Sequence, residues 1–85
     1  MNIKKIFDLS GRVVILTGAA GLLGSEYAKG LSQAGANVVL ADLNIVKCKK
    51  LAKNLEHEFN VFPMALRVDV TDPESINKMV SKVMK

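Results

Sequence analysis

The sequence predicts an α/β fold in which three parallel strands, in the order 3-2-1, alternate with three helices as βαβαβα. Short β-branched runs recur at a spacing of roughly 25 residues, which leaves room for a helical crossover between parallel strands. Apolar residues between those runs follow helical periodicity, and glycine, asparagine or Asp-Pro marks the junctions. The chain has 85 residues, 49% of them hydrophobic and 24% charged, the composition of a globular protein. It makes one domain at most, and a chain of this size buries only about 60–65% of the surface that its unfolded form exposes.

Residues 1–11 are a lead-in that closes on the turn signal Leu9-Ser10-Gly11. The first strand is Arg12–Thr17, a continuous apolar run expected of a strand covered on both faces. After the glycine segment Gly18–Gly24, a helix is expected over 22–34, with Leu23, Tyr27, Leu31 and Ala34 on one face and Gly35 as a left-handed stop. Val38–Ala41 reads as a second buried strand that ends at Asp42. Asn44 is positioned to cap a second helix whose inner face carries Ile45, Cys48, Ala52, Leu55 and Phe59. Pro63 closes the next loop, and a third strand covers about Met64 to Val68. Asp72 then offers an N-cap with Pro73 in the first turn, ahead of an apolar stripe of Ile76, Met79, Val80 and Val83. A Thr71/Glu74 capping box would move that start by one residue.

Composition narrows the possible functions. A single cysteine, Cys48, leaves no internal disulfide, CxxC pair or cysteine-rich zinc site, which suits a reducing cytoplasm. Cys48 lies on the inner face of the second helix, where a buried, inert thiol is expected. No metal site is expected, and His57, between Glu56 and Glu58, reads as a surface residue. Lys4 and Lys5 precede only Ile6-Phe7 before Asp8 interrupts, too short a core for a signal peptide, and no run has membrane-spanning length. The net charge of +4 raises nucleic acid as a partner. Lys47, Lys49, Lys50 and Lys53 fall between the apolar positions of one helix with no interleaved aromatics, so they read as a solvated face; neither nucleic acid nor membrane is an expected partner.

The segment Thr17-Gly18-Ala19-Ala20-Gly21-Leu22-Leu23-Gly24 stands between a strand and a helix, where a phosphate-binding turn would lie. Small residues let the backbone turn tightly, and the unpaired N–H groups and positive dipole end of the helix favour anionic oxygens. A strand-to-helix turn alone would also use such glycines. Asp42 tips the balance, because it stands eighteen residues beyond Gly24 at the carboxyl end of the second strand, where a carboxylate can accept hydrogen bonds from an adenosine ribose. Loop, spacing and context together predict a dinucleotide site in a Rossmann-like half-domain.

The stretch from Phe7-Asp8-Leu9-Ser10-Gly11-Arg12 through Thr17-Gly18 to Ala41-Asp42, with Val68-Asp69-Val70-Thr71-Asp72, resembles the N-terminal part of short-chain dehydrogenases/reductases. Gly18, Gly21 and Gly24 match the TGxxGxxG of the extended branch, which includes nucleotide-sugar epimerases and dehydratases. The classical TGxxxGxG would place glycine where Leu22 stands, although the lead-in and the Asp-Val-Thr-Asp stretch look classical, the branch favoured here. The resemblance implies that Gly18, Gly21, Leu22, Leu23 and Gly24 meet the pyrophosphate and that Asp42 and Leu43 meet the adenosine ribose. It places Asp69 at the adenine amino group and Val70 beside the ring.

Asp42 would repel the 2′-phosphate of NADP, and Ala20, Gly21, Leu43 and Asn44 offer no cation to offset it, so NAD is the expected cofactor. The serine, the Tyr-x-x-x-Lys pair and the asparagine that the resemblance implies for catalysis are missing; Tyr27 is followed four residues later by Leu31. No catalytic residue is therefore expected here. The sequence stops at Val83-Met84-Lys85 before any fourth strand, and it reads as a fragment of an oxidoreductase that takes a small-molecule substrate only in its full-length form. A non-catalytic dinucleotide-binding module and a subunit completed by another chain are the alternatives. With no fourth strand, the first strand would present an open edge that invites pairing, so self-association is expected. Sedimentation equilibrium at high micromolar concentration should show a two-fold dimer, and a clean monomer would count against it.

Overall fold

A computed structural model describes residues 9–84, so the lysines and the Phe7-Asp8 pair of the lead-in, and Lys85, lie outside the described residues. The elements are β1 (Val13–Thr17), α1 (Leu22–Gln33), β2 (Asn37–Asp42), α2 (Ile45–Phe59), β3 (Met64–Arg67) and α3 (Pro73–Val83). The strands form one parallel sheet in the order β1-β2-β3, with Val14 opposite Val38 and Leu40 opposite Ala65. This is the Rossmann-like α/β half-domain anticipated from the pattern. Arg12 falls just outside β1, but its carbonyl still accepts the Asn37 N–H at 2.9 Å.

Side chains alternate across the central strand and divide the core in two. Val38 and Leu40 pack with Ala28 of α1 and Cys48 and Leu55 of α2. Ala41 packs on the other side with Val68 and Met79, against α3. The expected inner face of α2 holds, since Ile45, Ala52 and Phe59 also border the first core. On α3, Met79 is buried and Ile76 and Val83 lie against it, while Val80 is exposed.

The caps are local chemistry. Asn44 Oδ1 accepts the Lys47 N–H at 3.2 Å to open α2, and Asp72 Oδ1 accepts the Glu74 N–H at 3.1 Å to open α3 with Pro73 in the first turn. The Thr71/Glu74 alternative does not form, because Thr71 bonds back to Asp69 instead. Gly35 adopts φ 98° and stops α1 as expected.

Two expectations are corrected. β1 is not covered on both faces: Val13 is 58% exposed and Ile15 39%, while only Val14 and Leu16 lean on the core. The reason is placement, since α1 and α2 share one face and α3 sits over Ala41, Leu66 and Val68 rather than over β1. Likewise, α1 does not bury Leu23 and Tyr27, which are 65% and 57% exposed. It turns Ala28 and Ser32 fully inward, with Ala34 buried and Leu31 packed against the core at its C-terminal end, because the part of the helix nearest the sheet has room only for small side chains.

Ser32 is buried and its hydroxyl has no hydrogen-bond partner among the described residues. Ser32→Ala removes that unpaired group and improves helix propensity, so it should stabilise the fold by about 1 kcal/mol, read as a higher urea midpoint at unchanged slope.

Candidate functional site at the carboxyl edge of the sheet

Parallel strands end on the same side, so the segments that follow them gather at one edge. Gly18 leaves β1 at φ 69°, a left-handed conformation that a side chain rarely tolerates. The turn closes through the Gly21 N–H to the Gly18 carbonyl at 3.1 Å, and Gly21 then opens α1 with no side-chain cap. The first intrahelical bond is from the Ser25 N–H to the Gly21 carbonyl at 2.9 Å, so the amides of Leu22, Leu23 and Gly24 have no acceptor within the helix. Gly24 is needed for space: a Cβ there would collide with the Gly18 carbonyl oxygen and come within 3.0 Å of the Ala19 Cα. Gly24 thus lets α1 contact the loop leaving β1 directly. Leu22, where the classical pattern has glycine, is 85% exposed at the first helical position.

Asp42 ends β2 and bridges two neighbouring segments. Its Oδ2 accepts the Ala20 N–H at 3.1 Å, and its Oδ1 accepts the Asn44 N–H at 2.9 Å. Leu43 between them is exposed. The Val68 N–H donates to the Asp42 carbonyl at 3.1 Å, which brings the turn after β3 alongside. In that turn, Asp69 Oδ1 accepts both the Thr71 hydroxyl at 2.6 Å and the Thr71 N–H at 2.9 Å, and the Asp69 N–H donates to Ser75 Oγ at 2.9 Å. Val70 is exposed beside it. The structure therefore gathers Gly18, Gly21, Leu22, Leu23, Gly24, Asp42, Leu43, Asp69 and Val70 at one edge.

The Thr71 hydroxyl, then the Thr71 N–H, and more weakly Arg67 hold the Asp69 carboxyl below its ordinary range. Burial first, and then the Asp42 charge, push the Cys48 thiol up, so it stays protonated and unreactive inside the core. His57 is exposed, and among the described residues no three histidine, cysteine or acidic side chains gather as metal ligands.

Reading by residue type missed two features. One is the Ala20 amide, since a backbone donor leaves no mark in a sequence. The other is Lys47 and Lys50, exposed as expected but bordering a groove of about 210 Å³ with Ala19, Ala20 and Ser25, beside the loop. Their spacing of three residues after the Asn44 cap was the available signal.

The donor set suits a dinucleotide: first-turn amides for a pyrophosphate, side-chain-free open space at Gly18 for its close approach, and a carboxylate one strand over for a ribose. Residues 12–85 match the family model of the short chain dehydrogenases. A sorbose reductase of Candida albicans is 31% identical over 84 residues, covering 99% of this chain and 30% of that protein. An NAD-dependent glycerol dehydrogenase of Listeria innocua is 35% identical over 82 residues, covering 95% of this chain and 30% of the relative. Among solved structures, L-sorbose reductase from Gluconobacter frateurii, complexed with NADPH and L-sorbose, superposes with a TM-score of 0.86 at 29% identity, covering 98% of this chain and 30% of that one. The chain thus spans about a third of the length of these relatives.

The Asp69 geometry predicts a pH effect. A lowered carboxyl pKa contributes stability above the ordinary carboxylate range that is lost as pH falls through the folded-state value. Thr71→Val removes the hydroxyl that contributes most, so Asp69 should titrate at higher pH in that variant and its share of the acid loss of stability should shrink. A carboxyl NMR titration checks it, and an unchanged Asp69 midpoint would contradict the assigned cause.

Proposed function

The chain belongs to the short-chain dehydrogenase family, and from that premise we propose that it is the N-terminal, NAD-binding portion of an oxidoreductase that moves hydride between NAD and an alcohol or carbonyl substrate. The observation that carries this is the juxtaposition of uncapped first-turn amides at Leu22–Gly24 with Asp42 at the end of the neighbouring strand. The amides would hold the pyrophosphate, Asp42 with Leu43 the adenosine ribose, and Asp69 with Val70 the adenine. Bound NAD supplies the hydride acceptor. The residues of this chain bind and orient it; none of them occupies a proton-transfer position in this reading, which leaves proton transfer and substrate recognition to residues outside this sequence.

NAD rather than NADP is favoured because the Asp42 charge faces the place of a 2′-phosphate, where like charges cost binding energy. Lys47 and Lys50 beside Ala20 support a second reading, in which their groove draws a 2′-phosphate away from Asp42. In the first reading, the adenosine and pyrophosphate contacts carry nearly all the affinity of this half. ADP-ribose should then bind the 85-residue chain within about tenfold of NAD, a difference of under about 1.4 kcal/mol, with NADP weaker than both. Asp42→Ala should narrow the gap between NAD and NADP. Titration calorimetry decides: NAD binding a hundredfold tighter than ADP-ribose would refute the division of contacts, and NADP binding best would favour the lysine groove.

A further inference from the structure

The loop between β1 and α1 is anchored by packing at Ala19, which is fully buried in the core, and it is tied to β2 by hydrogen bonds on one side. The Gly21 N–H bonds within the loop itself, to the Gly18 carbonyl. Among the described residues two backbone donors of the loop reach β2: the Ala19 N–H to the Ala41 carbonyl at a long 3.4 Å, and the Ala20 N–H to Asp42 Oδ2 at 3.1 Å. The second ends on an ionised acceptor, which makes it the stronger kind of bond. The other oxygen of the same carboxylate takes the Asn44 N–H at 2.9 Å, and Asn44 in turn caps α2 through the Lys47 N–H.

We propose that Asp42 is a positioning residue for the phosphate-binding loop, fastening it to the start of α2 through both carboxylate oxygens independently of any contact with a ribose. Packing holds the turn at Ala19 and Gly24, and this half-buried side chain fixes the Ala20 peptide between them, and with it the direction in which the turn delivers the first-turn amides of α1. Two acceptor sites on the carboxylate are used and the remaining lone pairs stay available, so the role coexists with ribose binding.

The proposal separates from a ribose-only role by sign. Inorganic pyrophosphate has no ribose, so a residue acting only on ribose would leave its affinity unchanged on removal. Coulomb's law alone would even tighten it, since a negative charge near the anion disappears. A fastening residue requires the opposite.

The test uses the 85-residue chain, inorganic pyrophosphate and backbone amide NMR. Asp42→Ala should weaken pyrophosphate binding about tenfold, read from shifts of the Gly18–Gly24 amides, and should speed exchange of the Ala20 and Asn44 N–H groups. Protection at Val38–Leu40 should persist, which shows that the sheet is intact. Asp42→Asn keeps one acceptor oxygen and should fall between wild type and Asp42→Ala; it carries the test by itself if the alanine variant does not fold. Pyrophosphate affinity equal to or above wild type, or unchanged exchange at Ala20, overturns the proposal. The pyrophosphate arm rests on the dinucleotide reading and the exchange arm does not. A wild-type chain that binds no pyrophosphate would therefore count against that reading, while Ala20 and Asn44 exchange still decides the role of Asp42.

Discussion

Parallel pairing is the constraint from which the rest of this structure follows. Neighbouring parallel strands need a crossover between them, and a crossover longer than a dozen residues is most economically a helix. Once β1, β2 and β3 run the same way, their carboxyl ends lie along one edge, and every segment that leaves a strand begins there. The glycine turn, Asp42 and Asp69 share a site for that reason, although they are far apart in the chain. Val38 and Leu40 on one face of β2 and Ala41 on the other anchor the arrangement, because burying both faces of one strand ties α1, α2 and α3 to a common centre.

The second determinant is closeness. α1 touches the loop leaving β1 at Gly24, and its next inward residues, Ala28 and Ser32, are also small. Bulk is displaced to the flanks, where Leu23 and Tyr27 are exposed. The same approach keeps the first turn of α1 beside Gly18 and so concentrates unpaired amides within the turn. Packing and binding geometry are therefore set by one contact, and a side chain added at position 24 would disturb both together.

What could be read from residues and what could not divides along physical lines. β-branched runs, the Asn44 and Asp72 caps and the Gly35 stop were legible because each acts on its own neighbours within a turn or a strand. The gathering of Gly18, Asp42 and Asp69 was legible through topology, since spacing and alternation imply parallel strands. On the inward face of α1, Leu31 and Ala34 were read correctly, but Leu23 and Tyr27 were not, because periodicity picks out large apolar residues whereas close contact near the loop selects small ones. The coverage of β1 was misread because the elements around Val13 and Ile15, rather than the residues themselves, decide it. The bond from Ala20 to Asp42 had no signal at all, as any residue but proline could donate it.

Cys48 gives the fold a built-in reporter. It is the sole thiol of the chain, fully buried where α1, β2 and α2 meet, and held protonated by its surroundings. A thiol reagent reaches it only when α2 lifts from the sheet. Under fast-reclosing conditions the labelling rate then measures the fraction of molecules in which that face is open. Because an adduct has no room in a packed interior, each labelled molecule is trapped in the opened form.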